Sequence, residues 1–426
     1  MKATLRQAAG SLLVVGLEGT ELTGLERAWL RLVRPGGVIL FRRNIVEARQ
    51  TRALLGEATG LCAANSFRCV DVEGGTVDRL RDALAPMPSA QAVAEAARRT
   101  GRGAVIREQG ELIAQGVKAF GFNTTLAPVV DLALPESAEV MGTRSAAATA
   151  EGVVDYARNF LAGLAAQGVV GCGKHFPGLG GGTLDSHLET PVIRHSGRKL
   201  WDKHLAPYRE LRNELPMVMV NHAAYPDTPG RDRPASASPY WITTVLRKRL
   251  GYWGIIFSDD MEMGGILKFM PIEEATLAAI RAGMDLLEVC HSPELILRAY
   301  EALIAEGERS AAFERLLMAR AAGTARAQAR LFASGVPAAL TARQFEALRA
   351  RILRFRERIE KAQPAAKQAT EKGRISGSAN KEHTSGAKAR VDIAGLMYGL
   401  KPVTFTGKGF SAARKDQPVK KVREAH

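Results

Sequence analysis

The chain has 426 residues, 46% of them apolar and only 6% aromatic. That is enough for one large α/β domain or two ordinary ones with a core of Ala, Leu and Val. The net charge of +15 first suggests an acidic partner, but ten Lys and four Arg against five acids lie between Lys361 and His426. The remaining +6 is spread over about 360 residues, which gives little support to nucleic-acid binding by the body. Cys62, Cys69, Cys172 and Cys290 form no CxxC pair or Cys/His cluster and are expected as buried, reduced thiols. The apolar run Leu12–Leu17 meets Glu18 at once, too short for a signal peptide, and no stretch reaches the ~20 apolar residues of a membrane span. A cytoplasmic location is therefore expected.

Eight short, mostly apolar runs follow in chain order: Ser11–Leu17, Gly37–Phe41, Arg68–Asp71, Gly121–Leu126, Val169–Cys172, Pro216–Asn221, Gly254–Ser258 and Met284–Val289. Several are too apolar to alternate, as expected of parallel strands covered on both faces. Helix-like segments lie between them, with Ala90–Gly116, Ala147–Gln167 and Ile272–Ala282 the clearest. Strand and helix alternating eight times predict a single (β/α)₈ barrel of the TIM type. Beyond the eighth run, Ser292–Ala333 reads as helix and Ala342–Lys361 as a strongly charged one. The expected organisation is a barrel over residues 1–340, a charged C-terminal helix over 341–361 and a basic low-complexity tail over 362–426. Low hydrophobicity and excess charge predict disorder in that tail, which can touch an anionic surface.

Barrel sites lie at the carboxyl ends of the strands. Those ends carry Asp71, Asn123, Lys174 with His175, Asn221 with His222, and Asp259 with Asp260. Adjacent acids leave a strand in opposite directions, so one of Asp259 and Asp260 can enter the mouth while the other caps a helix. An inward carboxylate there can be a nucleophile, a general base or a metal ligand. The stretch from Gly173 to His187 places Lys174, His175, Asp185 and His187 among five glycines and a proline. Asp185 can orient the His187 ring for acid/base work near neutral pH, although a lone loop histidine is often simply surface. The glycine run lacks the Gly-Lys-Ser/Thr ending and the full GxGxxG frame of nucleotide loops. His175, His187 and His222 have no metal-ligand spacing, so neither metal nor cofactor is expected. Asp71 and Arg79 flank a Gly74-Gly75 turn, as suits either a polyhydroxylated ligand or a structural ion pair.

Together these segments resemble the bacterial β-N-acetylglucosaminidases of glycoside hydrolase family 3. The similarity rests on Lys174-His-Phe-Pro-Gly-x-Gly followed by Asp185-Ser-His187 and Pro191, on Gly37-Val-Ile-Leu-Phe-x-Arg-Asn44, and on Asp71-x-Glu-Gly-Gly-x-Val-x-Arg79. Asn123-x-x-x-Ala-Pro-Val-x-Asp131, Pro234-Ala-Ser236 and Phe257-Ser-Asp-Asp260 extend it in the family's order, from about Ser11 to about Glu294. The resemblance implies a retaining exo-glycosidase with Asp259 as nucleophile, His187 as general acid/base and Asp185 as the group that orients His187. It implies that Asp71, Arg79, Arg144, Lys174 and His175 bind the terminal sugar. The implied substrate is N-acetylglucosaminyl-1,6-anhydro-N-acetylmuramic acid, with or without peptide, in cytoplasmic peptidoglycan recycling. A family 3 phosphorylase or β-glucosidase is the alternative among enzymes, and a sugar-binding protein without turnover is the alternative outside them. Two positions depart from the family pattern: Leu179 stands where a histidine is common, and Asn221 precedes His222 where a small residue is more usual.

Overall fold

The structure, a computed structural model, describes residues 3–181 and 190–362. Asp185, His187 and the tail beyond residue 362 lie outside the described residues.

Eight parallel strands close into a barrel in simple sequence order. They are β1 (Leu13–Gly16), β2 (Gly37–Leu40), β3 (Phe67–Val70), β4 (Thr124–Thr125), β5 (Val170–Phe176), β6 (Met217–Val220), β7 (Ile255–Asp260) and β8 (Leu286–Val289). Pairing of Leu13 with Leu287 and Val14 with Glu288 shuts the ring between β8 and β1. The apolar runs are non-alternating because both strand faces are dry. Val14, Ile39, Cys69, Cys172, Met219 and Phe257 fill the interior. Val15, Val38, Val70, Val218 and Ile256 pack outward against the helices. All four cysteines are free and buried, as expected. No helix among the described residues is long and apolar enough to cross a membrane.

Helices Ile272–Ala282 and Ala342–Lys361 run as the pattern predicts. Two other expected helices are each broken in two. Ala90–Gly116 divides into Ala90–Thr100 and Ala104–Ala119, because Gly101 takes φ +64 at the end of the first. Ser292–Ala333 divides into Pro293–Arg309 and Ala311–Leu331, because Ser310 leaves helical geometry and caps the Phe313 amide. That cap redirects the chain to the amino-terminal end of the barrel. There Phe332 meets Phe67 edge-on at 5.0 Å and Gln328 Nε2 donates to the Gly36 carbonyl at 2.8 Å.

At the opposite end, side chains tie the strand ends together. The Asn44 amide donates to the carbonyls of Leu17 and Gly19, and its Oδ1 accepts the Phe41 N–H. Arg43 donates to the carbonyls of Leu17 and Cys290. These contacts bind the carboxyl ends of β1, β2 and β8 into one rim. A short hairpin, Val72–Gly74 with Val77–Asp78, rises from β3 over the mouth.

Candidate active site

The apolar pattern places the end of the fifth strand at Cys172, but β5 runs on to Phe176. Lys174 and His175 are thus strand residues and not part of the following loop. Gly171 and Gly173 interrupt the pattern because a Cβ there would strike Leu161, Leu164 and the Ala127 carbonyl in one case and Leu215 in the other. Lys174 continues the inward parity of Val170 and Cys172 and is 3% exposed. Its Nζ lies 2.7 Å from Asp71 Oδ1 and 2.6 Å from Glu73 Oε1. Arg144 grips the same Glu73 carboxylate with Nε and Nη2 at 2.8 and 2.9 Å.

His175 joins this array from the other side. Its Nδ1 lies 2.7 Å from Asp131 Oδ2, and its Nε2 lies 3.3 Å from Arg144 Nη2. A guanidinium can only donate, so Nε2 accepts and Nδ1 carries the proton toward Asp131. Asp131 also accepts the backbone N–H groups of His175 and Leu179 at 3.0 and 2.7 Å. One buried carboxylate therefore sets both the imidazole and the start of the glycine run. Burial alone would raise the Glu73 carboxyl, but Arg144 and Lys174 outweigh it and hold it below the usual carboxylate range. Burial would likewise lower Lys174; Asp71 and Glu73 outweigh it and keep the ammonium charged. The sequence leaves Asp71 and Arg79 either as hydroxyl binders or as an ion pair. The Asp71 carboxylate takes Lys174, the Arg79 backbone N–H donates to the Asp71 carbonyl, and the Arg79 guanidinium lies 5.9 Å from the Phe41 ring centroid.

The seventh strand also runs further than its apolar run, to Asp260. Ile255 and Phe257 face the barrel interior, so Asp259 continues the inward side; a register shift between β7 and β8 sets Asp260 opposite the interior Glu288, with its carboxylate against Cys290. Asp260 Oδ1 accepts the Glu262 N–H at 3.0 Å within a turn; the next helix, Gly264–Leu267, starts after Met263 with no side-chain cap, so Asp260 does not fill the helix-capping role. Burial, with help from Glu262 and Asp259, pushes the Asp260 carboxyl up to about 7. His222 is not a ligand-facing histidine. Its ring bridges Ser236 Oγ at 2.7 Å and the Asp260 carbonyl at 3.0 Å, so the Pro234-Ala-Ser236 segment serves to fix the end of β7. Asn221 donates to the His175 carbonyl at 3.0 Å and Tyr225 to the Gly178 carbonyl at 2.9 Å. Gly178–Gly181 is packed against His195 and His204. The catalytic candidates Asp185 and His187 lie beyond it, outside the described residues.

The site thus joins Asp71, Glu73, Asp131, Arg144, Lys174 and His175 at the ends of β3 and β5, with Asp259 at the end of β7. Glu73 and Asp131 stand inside recognisable motifs, yet their roles were not legible because Arg144 and His175 are 71 and 44 residues away. A third unforeseen acid is Glu288. It lies inward on β8, 4% exposed, accepts Cys290 Sγ at 3.1 Å and has no cation beside it among the described residues. Burial, with Asp260, Asp71 and Asp259 nearby, holds its carboxyl well above the usual range.

A closed (β/α)₈ barrel whose mouth holds an inward carboxylate opposite a fixed array of acids and cations defines a barrel enzyme of the glycoside hydrolase class. The family model for the "Glycosyl hydrolase family 3 N terminal domain" matches residues 4–320, and the chain belongs to that family. It is 38% identical over 292 residues to a β-hexosaminidase of Thioalkalivibrio sulfidiphilus, covering 68% of this chain and 83% of that protein. It is 38% identical over 288 residues to another from Methylococcus capsulatus, covering 67% and 85%. Among solved structures it is similar to the family 3 β-N-acetylglucosaminidase from Paenibacillus sp. FPU-7, with TM-score 0.74, 30% identity and coverage of 82% and 68%. Native NagZ from Neisseria gonorrhoeae is similar at TM-score 0.62 and 29% identity, with coverage of 74% and 97%.

Proposed function

We propose that the chain is a retaining exo-β-N-acetylhexosaminidase that removes terminal β-linked N-acetylglucosamine from peptidoglycan fragments. The natural substrate on this reading is N-acetylglucosaminyl-1,6-anhydro-N-acetylmuramic acid, with or without peptide, in cytoplasmic cell-wall recycling. The observation that carries it is the inward Asp259 at the end of β7, facing the mouth into which Lys174 and His175 are locked. Asp71, Arg79, Arg144, Lys174 and His175 take the sugar hydroxyls. Because Glu73 and Asp131 hold the cations and the imidazole from behind, these side chains need no reorganisation when the sugar arrives.

In the first step an Asp259 carboxylate oxygen attacks the anomeric carbon. The bond to the leaving oxygen breaks, and that oxygen takes a proton from His187. In the second step water attacks the anomeric carbon, gives its proton to His187 and frees Asp259. Asp185 orients His187 in both. The test is turnover of an aryl β-N-acetylglucosaminide with a 2-fluoro sugar as covalent probe. Asp259→Ala is expected to lose more than about 10⁴-fold in kcat, and the probe to label Asp259. Labelling at Asp260 would sink the assignment. His187→Ala is expected to slow substrates with poor leaving groups far more than activated aryl ones, which need no proton; equal losses would argue against a general acid.

A further inference from the structure

The outer face of β3 carries an anomaly far from the catalytic mouth. Phe67 and Cys69 enter the barrel interior, so Arg68 leaves on the outer side, one step below the fully buried Val70. A barrel strand normally presents an apolar side chain there. The Arg68 side chain has neither a hydrogen bond nor an ion pair among the described residues. Burial and the neighbouring Arg52 both pull its guanidinium below the ordinary range, and no carboxylate offsets them. Arg52 itself is engaged, donating to the carbonyls of Lys118 and Pro337. Arg34, exposed just after helix Gly24–Val33, also has no side-chain partner among the described residues. Both Arg34 and Arg68 act electrostatically on the Cys62 thiol, which places the two cations around one spot.

That spot is a cleft of about 350 Å³, walled by Arg34 and Arg68 together with Ala63, Phe332, Val336 and Pro337. We propose that this cleft, at the amino-terminal end of the barrel, is a binding site for a small phosphorylated metabolite. Two guanidiniums without a carboxylate between them match one dianion, and each can bind phosphate oxygens in bidentate fashion. The anion offsets the cost of keeping Arg68 partly buried and relieves its repulsion from Arg52. The volume exceeds what a bare phosphate fills and falls in the range of small-molecule sites. The apolar wall suits the ring face of a sugar-sized body. Such a ligand ties β3 and the turn before it to the segment that follows Phe332, and so stabilises the native state.

The experiment titrates the full chain separately with inorganic phosphate and with a hexose 6-phosphate, by calorimetry and thermal melting. Saturable binding at about 1 mM or tighter is expected, with a rise in Tm. Arg68→Met keeps the apolar stem, and Arg34→Ala alters an exposed residue that folding does not need. Each is expected to weaken binding by about tenfold or more. Turnover of the aryl glycoside by Arg34→Ala is expected to be unchanged. Tighter binding of the hexose phosphate assigns the apolar wall to the sugar; equal affinity makes free phosphate the ligand of the same site. No saturable binding at about 10 mM, or binding that survives both substitutions, overturns the proposal.

Discussion

Asp259 and Asp260 are adjacent and chemically identical, yet they stand in different environments. Asp260 lies beside Glu288, accepts the Glu262 N–H and is held near 7, while Asp259 faces the mouth. Asp260→Asn keeps the side-chain shape and an oxygen for the Glu262 N–H and is expected to cost less than about tenfold in kcat, against the near-total loss in Asp259→Ala; steady-state kinetics on both variants checks it. Glu288 poses a different question, because an acid in the barrel interior without a cation should not be ionised. Its folded-state affinity for a proton is raised, so its contribution to stability is fully present below the ordinary glutamate pKa of about 4.3 and is lost as pH rises through the folded value. Glu288→Gln, an uncharged isostere, is expected to match the parent in Tm near pH 4 and to exceed it increasingly toward pH 8. Each unit by which the carboxyl is raised corresponds to about 1.4 kcal/mol. A Tm gap independent of pH would refute this account.

At the scale of elements, strands declared themselves best where both faces are apolar, and each of the eight runs overlaps one of β1 to β8. They were misjudged where a strand end enters the mouth. Lys174, His175, Asp259 and Asp260 fall past the apolar runs because polar side chains replace apolar ones, although β5 and β7 continue to Phe176 and Asp260 through shifts of register. Glu288 was hidden by its apolar neighbours in β8, and the Gly101 break by Ala-rich helical composition on both sides. The site residues named from motifs are brought together in the described part, but what fixes them is long-range and has no local signature. Glu73 in the hairpin shows the consequence. It is 3% exposed and balances two cations from β5 and from the turn that holds Arg144. Glu73→Gln keeps the shape but leaves Arg144 without a carboxylate and Lys174 with only Asp71. Breaking a buried pair this way is expected to cost about 3–5 kcal/mol, measured by denaturant unfolding. The KM of the variant should rise as well, because Arg144 would no longer be held against His175.

At the scale of the whole molecule, the barrel places chemistry at one end and closure at the other. The carboxyl end is built from charges that must be fixed in position, and the amino end from apolar contact. Phe332 covers that end: it packs edge-on against Phe67 and joins the same interior cluster as Val14, Ile39 and Leu286. The two ends are separated by layers of buried side chains, so a cavity opened at one is not transmitted as a charge rearrangement to the other. Phe332→Ala is therefore expected to destabilise the fold by about 3–5 kcal/mol while leaving kcat/KM on the aryl glycoside within about twofold at temperatures where the variant stays folded. Denaturant unfolding and steady-state kinetics on the same preparation check both halves. A large loss of activity without loss of stability would mean that the amino-terminal end is coupled to the mouth, and that closure and chemistry are not divided between the two ends of the barrel.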